Sequence, residues 1–95
     1  MVKIIAEFFV NPKNTDESVK LAKELVFETV KEAGCIAYNL FVDNADKSHI
    51  VIIEEWETQE ALDLHSDSAH FSRLVPAIAA LCEKAPSVRT FEKIA

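Results

Sequence analysis

The feature that most constrains this chain is a set of strand-like segments whose apolar side chains do not alternate with polar ones. In the first segment, Ile4 and Phe8 share one face of the strand while Ile5 and Phe9 share the other. A β-sheet with one solvated face shows alternation of apolar and polar residues instead. Both faces of the predicted sheet therefore have to be covered by protein or ligand.

The predicted elements follow one another in the order β-α-β-β-α(α)-β. Residues rich in β-branched and aromatic side chains mark the strands, and apolar residues at helical spacing mark the helices. We predict strands at Val2–Val10, Cys35–Asp43, His49–Glu57 and Ser87–Ile94, a long helix from Asn14 to about Ala33, and shorter helices that begin after Thr58 and Ser68. This order is typical of the ferredoxin-like α+β arrangement, in which helices cover one face of a four-stranded antiparallel sheet. The 95 residues suit a single domain over residues 1–95.

Local signals refine these elements. Asn14 and Glu17 fit a capping box at the start of the long helix. Gly34, the only glycine, stands where a residue in the left-handed conformation ends that helix. Pro76 lacks a backbone N–H, so we expect it to kink or restart the last helix. The polar residues 43–48 suit a hairpin loop between the second and third strands.

The second strand is also apolar on both faces, with Ile36, Tyr38 and Leu40 on one side and Ala37 and Phe41 on the other. Helices on one side of the sheet leave the opposite face exposed, as an apolar patch larger than soluble monomers usually tolerate. We therefore expect a homodimer in which two sheets pair face to face about a twofold axis. The alternative is a monomer whose second face binds a ligand or a different protein.

Composition excludes several classes of function. The net charge of −6 repels phosphate backbones, so we expect no nucleic-acid partner. No apolar run approaches the roughly 20 residues of a membrane span, and charged residues interrupt the N-terminal strand, so we expect neither a membrane protein nor a signal peptide. The two cysteines, Cys35 and Cys82, read as free thiols, which favours a cytoplasmic location.

The densest polar cluster in an apolar setting is Glu54-Glu55-Trp56, followed by His65 and His70. Glu54 and Trp56 point to the same face of the third strand, because side chains repeat every two residues. The short helix after the strand can return His65 over the edge of the sheet. Each residue also has a structural interpretation: Trp56 as a core anchor, Glu54 as a paired or solvated carboxylate, and the histidines as residues that flank a helix break.

Tyr38 and Asn39 lie on the neighbouring strand, on opposite faces, and Tyr38 can also be a buried residue with a bonded hydroxyl. His65 and His70 are five residues apart, which is not a recognised metal spacing, so we expect no metal site. A single glycine rules out a phosphate-binding glycine-rich loop, and no flavin or nucleotide fingerprint is present. We therefore expect no cofactor, and a catalyst of this kind would depend on a pocket and on the reactivity of its substrate.

Four segments together resemble the antibiotic biosynthesis monooxygenase family. They are G-C-x-x-Y at residues 34–38, the E-x-W strand end within 52–58, the helix with a terminal histidine at 61–65, and the H-F helix start within 69–71. Each motif is weak alone, and together they match the family in order and spacing along nearly the whole chain.

The resemblance implies a dimeric α+β barrel with a pocket in each subunit between the sheet and the helices. It also implies oxidation of an electron-rich phenol or quinol by O2, without metal or flavin. By this resemblance the catalytic residues are His65, His70, Trp56 and Tyr38, and Glu54 and Phe71 are substrate contacts. Asn39, next to Tyr38 on its strand, and Arg73, the only basic residue near the site, are also predicted substrate contacts. Trp56 and Tyr38 would line the pocket, and one of the two histidines would take the phenolic proton.

Other activities share this fold, so the fold alone does not decide the function. A branch that degrades haem uses an axial histidine where this chain has Val75, and a branch that isomerises a phosphorylated sugar needs basic residues, of which only Arg73 is near the site. A non-catalytic dimeric module that binds a small molecule or acts in a stress response, and an isomerase of a small metabolite, stay open as alternatives. Convergence of Trp56, Tyr38 and the histidines on one enclosed cavity would favour the oxygenase.

Overall fold

The computed structural model describes residues 1–95 and has the predicted order of elements. The elements are β1 (Val2–Phe9), a 3-10 turn (Pro12–Asn14), α1 (Thr15–Thr29), β2 (Cys35–Asp43), β3 (Asp46–Trp56), α2 (Gln59–Ser66), α3 (Ala69–Ala79) and β4 (Ser87–Phe91). The four strands form one sheet in the order β2-β3-β1-β4, and all neighbouring strands are antiparallel. The ferredoxin-like α+β fold predicted from the sequence is confirmed.

The strand register brings the polar residues of β2 and β3 together. Tyr38 pairs with Glu54, and Glu54 pairs with Ile4 on its other side, so the three side chains share the face that the helices cover. A β-bulge between Cys35 and Ala37 inserts one extra residue, Ile36, which is half exposed. The prediction that Ile36 shares a face with Tyr38 is therefore wrong, because the bulge breaks the alternation of side chains at that point.

The core lies between the helices and this face of the sheet. Its largest fully buried apolar side chains are Trp56, Leu25, Ile50, Ile52, Leu74 and Ile78. Strand residues alternate between buried and partly exposed positions along β1 and β3. Both sheet faces carry apolar side chains, as the sequence predicted. They differ in exposure, because one face is buried under the helices and the other is partly exposed.

The opposite face, called the open face below, carries Ile5, Phe9, Val51, Ile53 and Phe41 among its apolar residues. All of them keep some solvent exposure, and Phe41 is 50% exposed. None of the helices combines the length and apolar character that crossing a bilayer requires.

Several predicted boundaries and caps are corrected by the structure. The Asn14 side chain does not cap α1; its amide donates to the Leu81 carbonyl over 3.4 Å. Helix α1 ends at Thr29, four residues before Ala33, because turns occupy the chain from there to Gly34. Strand β4 ends at Phe91, before Ile94.

Two further expectations differ from the structure. Pro76 lies inside α3, so the helix does not restart there, and the Ala80 N–H donates to the Pro76 carbonyl over 3.0 Å. The proline removes its own donor but leaves the later donors of the helix intact. The hairpin turn is also shorter than predicted, because Asp43 pairs with Asp46 and its carboxylate accepts from the Ala45 N–H over 2.8 Å.

Candidate functional site

A cavity of about 230 Å³ lies between the sheet and the helices. It is lined by 16 residues, ten of which are hydrophobic. Its polar wall includes Tyr38, Glu54 and His65, and its apolar wall includes Phe71 and Val75. An apolar cavity with a few convergent polar groups is the usual form of a small-molecule site.

Glu54 and Trp56 stand at the end of β3, on the face that the helices cover. The Trp56 indole N–H donates to Glu54 Oε1 over 2.9 Å, and both side chains are buried. The sequence-based expectation that Trp56 lines the pocket is not met, since its indole lies behind the wall and packs against the His65 ring at a centroid distance of 4.7 Å. Trp56 thus orients two cavity residues and does not face a ligand.

Glu54 is only 6% exposed, and its burial raises the pKa of its carboxyl group to about 7. The hydrogen bond from Trp56 acts in the opposite direction and lowers this pKa, while the negative charge of Glu32 raises it. The carboxyl group therefore changes protonation near neutral pH. Burial also raises the pKa of the Tyr38 hydroxyl, with a further contribution from Glu54, so Tyr38 stays protonated.

His65 lies in the last turn of α2. Thr58 caps the other end of this helix, where its hydroxyl oxygen accepts from the Ala61 N–H over 3.1 Å. His65 is 1% exposed as a residue, and its imidazole packs edge-on against Tyr38 and Phe71 at centroid distances of 5.4 and 5.1 Å. Its Nδ1 lies 2.7 Å from Glu32 Oε2, whereas its buried Nε2 has no hydrogen-bond partner.

The contact with Glu32 determines the protonation of the His65 ring. A carboxylate only accepts hydrogen bonds, so the proton of the neutral ring is assigned to Nδ1 and Nε2 keeps its lone pair. Burial lowers the pKa of His65, opposed by the hydrogen bond and charge of Glu32. The neutral ring is thus favoured at neutral pH, with an unpaired acceptor at Nε2.

Glu32 was not among the residues predicted from the sequence. It lies in the turn that follows α1, where its N–H donates to the Thr29 carbonyl over 2.9 Å. Its Oε2 also contacts Nε2 of His70 at 2.8 Å. No motif in the sequence points to Glu32, and the predicted helix to Ala33 gave it no special position.

The predicted residues separate into those at the cavity and those away from it. Tyr38, Glu54, His65 and Phe71 line the cavity; His70 lies behind His65, with a distance of 6.0 Å between ring centroids. Asn39 is exposed on the other side of the sheet, because it is the neighbour of Tyr38 on the strand. Arg73 is exposed and pairs with Glu24 of α1. Neither Asn39 nor Arg73 is among the residues that line this cavity.

Glu32, His65 and His70 are also the residues that can hold a metal ion. Their three ligand atoms lie within 4.8 Å of one another, and two imidazoles with one carboxylate form a known ligand set for transition metals. The expectation of no metal site considered the two histidines alone and did not include Glu32. The contacts of 2.7 and 2.8 Å have the length of charge-assisted hydrogen bonds.

Comparison with known proteins gives a consistent picture. A family model described as antibiotic biosynthesis monooxygenase matches residues 1–77. A crystal structure described as that of an antibiotic biosynthesis monooxygenase superposes with a TM-score of 0.96 at 42% sequence identity and covers 100% of both chains.

Two curated relatives are similar over most of the chain. The Bacillus subtilis protein named "Putative monooxygenase YcnE" is 29% identical over 79% of this chain and 79% of its own length. The Mycobacterium tuberculosis protein named "Putative monooxygenase Rv0793" is 31% identical over 74% of this chain and 68% of its own length.

Proposed function

Because this chain belongs to the antibiotic biosynthesis monooxygenase family, we propose that it uses O2 to oxidise a small electron-rich phenol or quinol without a metal or an organic cofactor. The observation that carries the proposal is that His65 lines the apolar cavity and has a buried, unpartnered Nε2, while Glu32 holds its Nδ1. The names of two relatives, which describe monooxygenases, support the same class of reaction.

The size and lining of the cavity support a small aromatic substrate. A cavity of about 150 Å³ accommodates benzene, so the 230 Å³ found here has room for an aromatic substrate larger than a single ring. Phe71 and Val75 supply apolar contacts, and the polar groups of Tyr38 and Glu54 can hydrogen-bond to a substrate oxygen.

The reaction begins with the transfer of the phenolic proton to Nε2 of His65. The phenolate then passes one electron to O2, and the resulting substrate radical and superoxide combine to form a peroxide anion. The proton held by His65 converts this anion to a hydroperoxide. For an anthrone-like substrate, which has a CH2 group in its keto form, loss of water from the hydroperoxide leaves a carbonyl group. The substrate thus gains one oxygen atom and loses two hydrogen atoms, and the other oxygen atom leaves as water.

The protein contributes a base, a bound orientation and the exclusion of water. The proton accepted by His65 returns to the peroxide anion, so the base is regenerated in each cycle. In the loss of water, the proton that leaves the carbon combines with the departing hydroxide. Below its pKa of about 7 the Glu54 carboxyl group is neutral and can donate a hydrogen bond to the substrate oxygen that gains negative charge. The aromatic rings around His65 keep the site dry.

A second copy of the chain is the proposed cover of the open face. The apolar side chains Ile5, Val51 and Ile53 line the centre of that face, and Phe41 adds a half-exposed ring. Apolar area of this kind stabilises a twofold pairing of sheets. The homodimer expected from the strand pattern is therefore part of the proposal.

An isomerase of a small metabolite is the second candidate. Glu54 and His65 line the same cavity, and a carboxyl group near its pKa together with a neutral imidazole can act as an acid and a base. The two candidates differ in their need for O2, because isomerisation consumes none.

The test is O2 consumption by the metal-stripped protein with a panel of hydroquinones and anthrone-like phenols, after subtraction of autoxidation. We expect turnover that falls about a hundredfold or more in His65→Asn, since general-base catalysis contributes roughly that much. Trp56→Phe should reduce turnover less, because the indole does not line the cavity. No turnover above background from the folded protein would reject the oxygenase and favour the isomerase or a binding module.

A further inference from the structure

We propose that Glu32 is the positioning residue of this site: through one oxygen shared by His65 and His70, it fixes the tautomer of His65 and leaves Nε2 as the proton acceptor of the cavity. The catalytic consequence of this inference rests on the proposed function, whereas the tautomer itself does not. No sequence motif pointed to Glu32, and its contacts alone identify it.

The geometry identifies Oε2 as the acceptor of two hydrogen bonds. His65 Nδ1 lies 2.7 Å from this oxygen and His70 Nε2 lies 2.8 Å from it. An ionised carboxylate oxygen offers two lone pairs and donates nothing, so each ring presents a protonated nitrogen to it. The only nitrogen of His65 left to accept a proton is Nε2, which has no partner in the protein.

Because both residues are largely buried, the contact between Glu32 and His65 determines how well the protein stabilises the positive charge that His65 gains during catalysis. The His65 side chain is 2% exposed and that of Glu32 is 17% exposed. An imidazolium in so apolar a setting is costly unless a negative charge lies beside it. Glu32 supplies that charge next to Nδ1, opposite the nitrogen that takes the proton, and it does not occupy the cavity itself.

Glu32 is held in place by its surroundings. Its N–H is bonded to the Thr29 carbonyl, and its own carbonyl accepts from the Cys35 N–H over 3.3 Å. Two residues later, Gly34 packs directly against Ala61 of α2. The turn is therefore docked on the helix that carries His65. His70, at the start of α3, makes a second hydrogen bond to Glu32 Oε2.

Replacement of Glu32 by glutamine keeps the shape of the side chain and removes its charge. The amide can present its oxygen, which accepts from Nδ1 as the carboxylate does, or its nitrogen, which donates to Nδ1 and moves the ring proton to Nε2. Replacement of Glu32 by alanine removes the acceptor altogether, so no partner then holds the proton at Nδ1. Glu28→Gln is the matched control, since Glu28 is a nearby acidic residue at the end of α1 that pairs with Lys31 and does not contact either histidine.

The first measurement is the tautomer of His65, read from two-bond ¹H–¹⁵N spectra of the three histidine rings in the ligand-free protein above the ordinary imidazole pKa of about 6.5. We expect a protonated Nδ1 in the wild type and in Glu28→Gln, and a shift toward protonated Nε2 in Glu32→Ala, which has no acceptor for Nδ1. A protonated Nε2 in the wild type, or an unchanged tautomer in Glu32→Ala, would overturn the inference. Circular dichroism checks the fold, and if Glu32→Ala does not fold the protonated nitrogen of the wild type decides the inference.

The second measurement is turnover with whichever phenol the oxygenase assay identifies. Glu32→Gln should lower kcat about tenfold or more, in line with losses at residues that orient a reactive group, and leave KM within about twofold because Glu32 does not line the cavity. If the wild type shows no turnover, the proposed function fails and the tautomer spectra still decide the inference. If the wild type is active and Glu32→Gln keeps full kcat, the positioning role fails while the proposed function stands.

Discussion

Gly34 and Ala61 are packed so closely that a Cβ atom added to Gly34 would lie 2.5 Å from the Cβ of Ala61. Gly34 also has a φ angle of 84°, a conformation that residues with a side chain rarely adopt. The close approach to Ala61 and the positive φ angle both occur in the turn that carries Glu32. Gly34, the only glycine of the chain, thus lies where a side chain would disturb this turn.

Gly34→Ala should destabilise the protein by about 1–3 kcal/mol, because it combines left-handed strain with a steric conflict. Urea denaturation measures the change in the free energy of unfolding. Ala61→Gly in the Gly34→Ala background is the matched control: it removes the steric conflict and leaves the φ strain. An unchanged unfolding midpoint in Gly34→Ala would show that the turn and α2 are not docked as described.

The sequence predicted much of this site because its signals are local and periodic. The two-residue repeat of a strand placed Glu54 and Trp56 on one face, and the short helix after Thr58 returned His65 over the sheet, as the structure confirms. The left-handed conformation of Gly34 was also predicted correctly.

What the sequence could not predict depends on long-range contacts. Glu32 and His65 are 33 residues apart, and nothing in either segment indicates that a carboxylate and an imidazole will meet. Arg73 is close to the site along the chain, but it lies on an exposed helix surface beside Glu24. Such pairings depend on how α1, α2 and α3 dock, which periodicity does not specify.

The stability of the protein should depend on pH through Glu54. Its pKa rises from an ordinary 4.5 to about 7 on folding, so the folded state binds the proton more tightly than the unfolded chain. This contribution is fully present below pH 4.5 and is lost as the pH rises through 7, with a total of roughly 3 kcal/mol.

The measurement is urea denaturation of the wild type and of Glu54→Gln at several pH values from below 4.5 to above 7. The amide cannot ionise, so the difference between the two unfolding free energies isolates Glu54 from the opposite effect of His65, whose pKa is lowered by burial. Parallel curves for the two proteins would contradict the prediction.

A charge on the open face should separate the proposed dimer. Val51→Lys places an ammonium group at the centre of that face, where burial against a second sheet is unfavourable. We expect sedimentation velocity to show a dimer for the wild type and a monomer for the variant. Leu64→Lys is the control, because Leu64 is 70% exposed on α2, away from the open face. A wild-type monomer, or dissociation by Leu64→Lys, would reject this interface.

Removal of metal ions should leave turnover unchanged. The contacts of Glu32 with His65 and His70 are complete as hydrogen bonds, and the proposed reaction needs no metal. Dialysis against a chelator followed by the O2 assay tests this, with elemental analysis to verify removal. Loss of activity that Fe²⁺ restores would instead make these three residues the ligands of a catalytic metal.

The dependence of kcat/KM on pH should have two limbs assigned to two residues of the cavity. Burial lowers the pKa of His65, so the base stays neutral somewhat below the ordinary value of 6.5, and activity falls only at lower pH, where Nε2 becomes protonated. On the alkaline side, activity should fall above about pH 7, where Glu54 loses the proton that it donates to the substrate oxygen. Glu54→Gln keeps a donor that does not titrate, so this variant should lose the alkaline limb and keep the acidic one. If the alkaline limb survives in Glu54→Gln, it belongs to the substrate phenol or to another group, and Glu54 is not the donor.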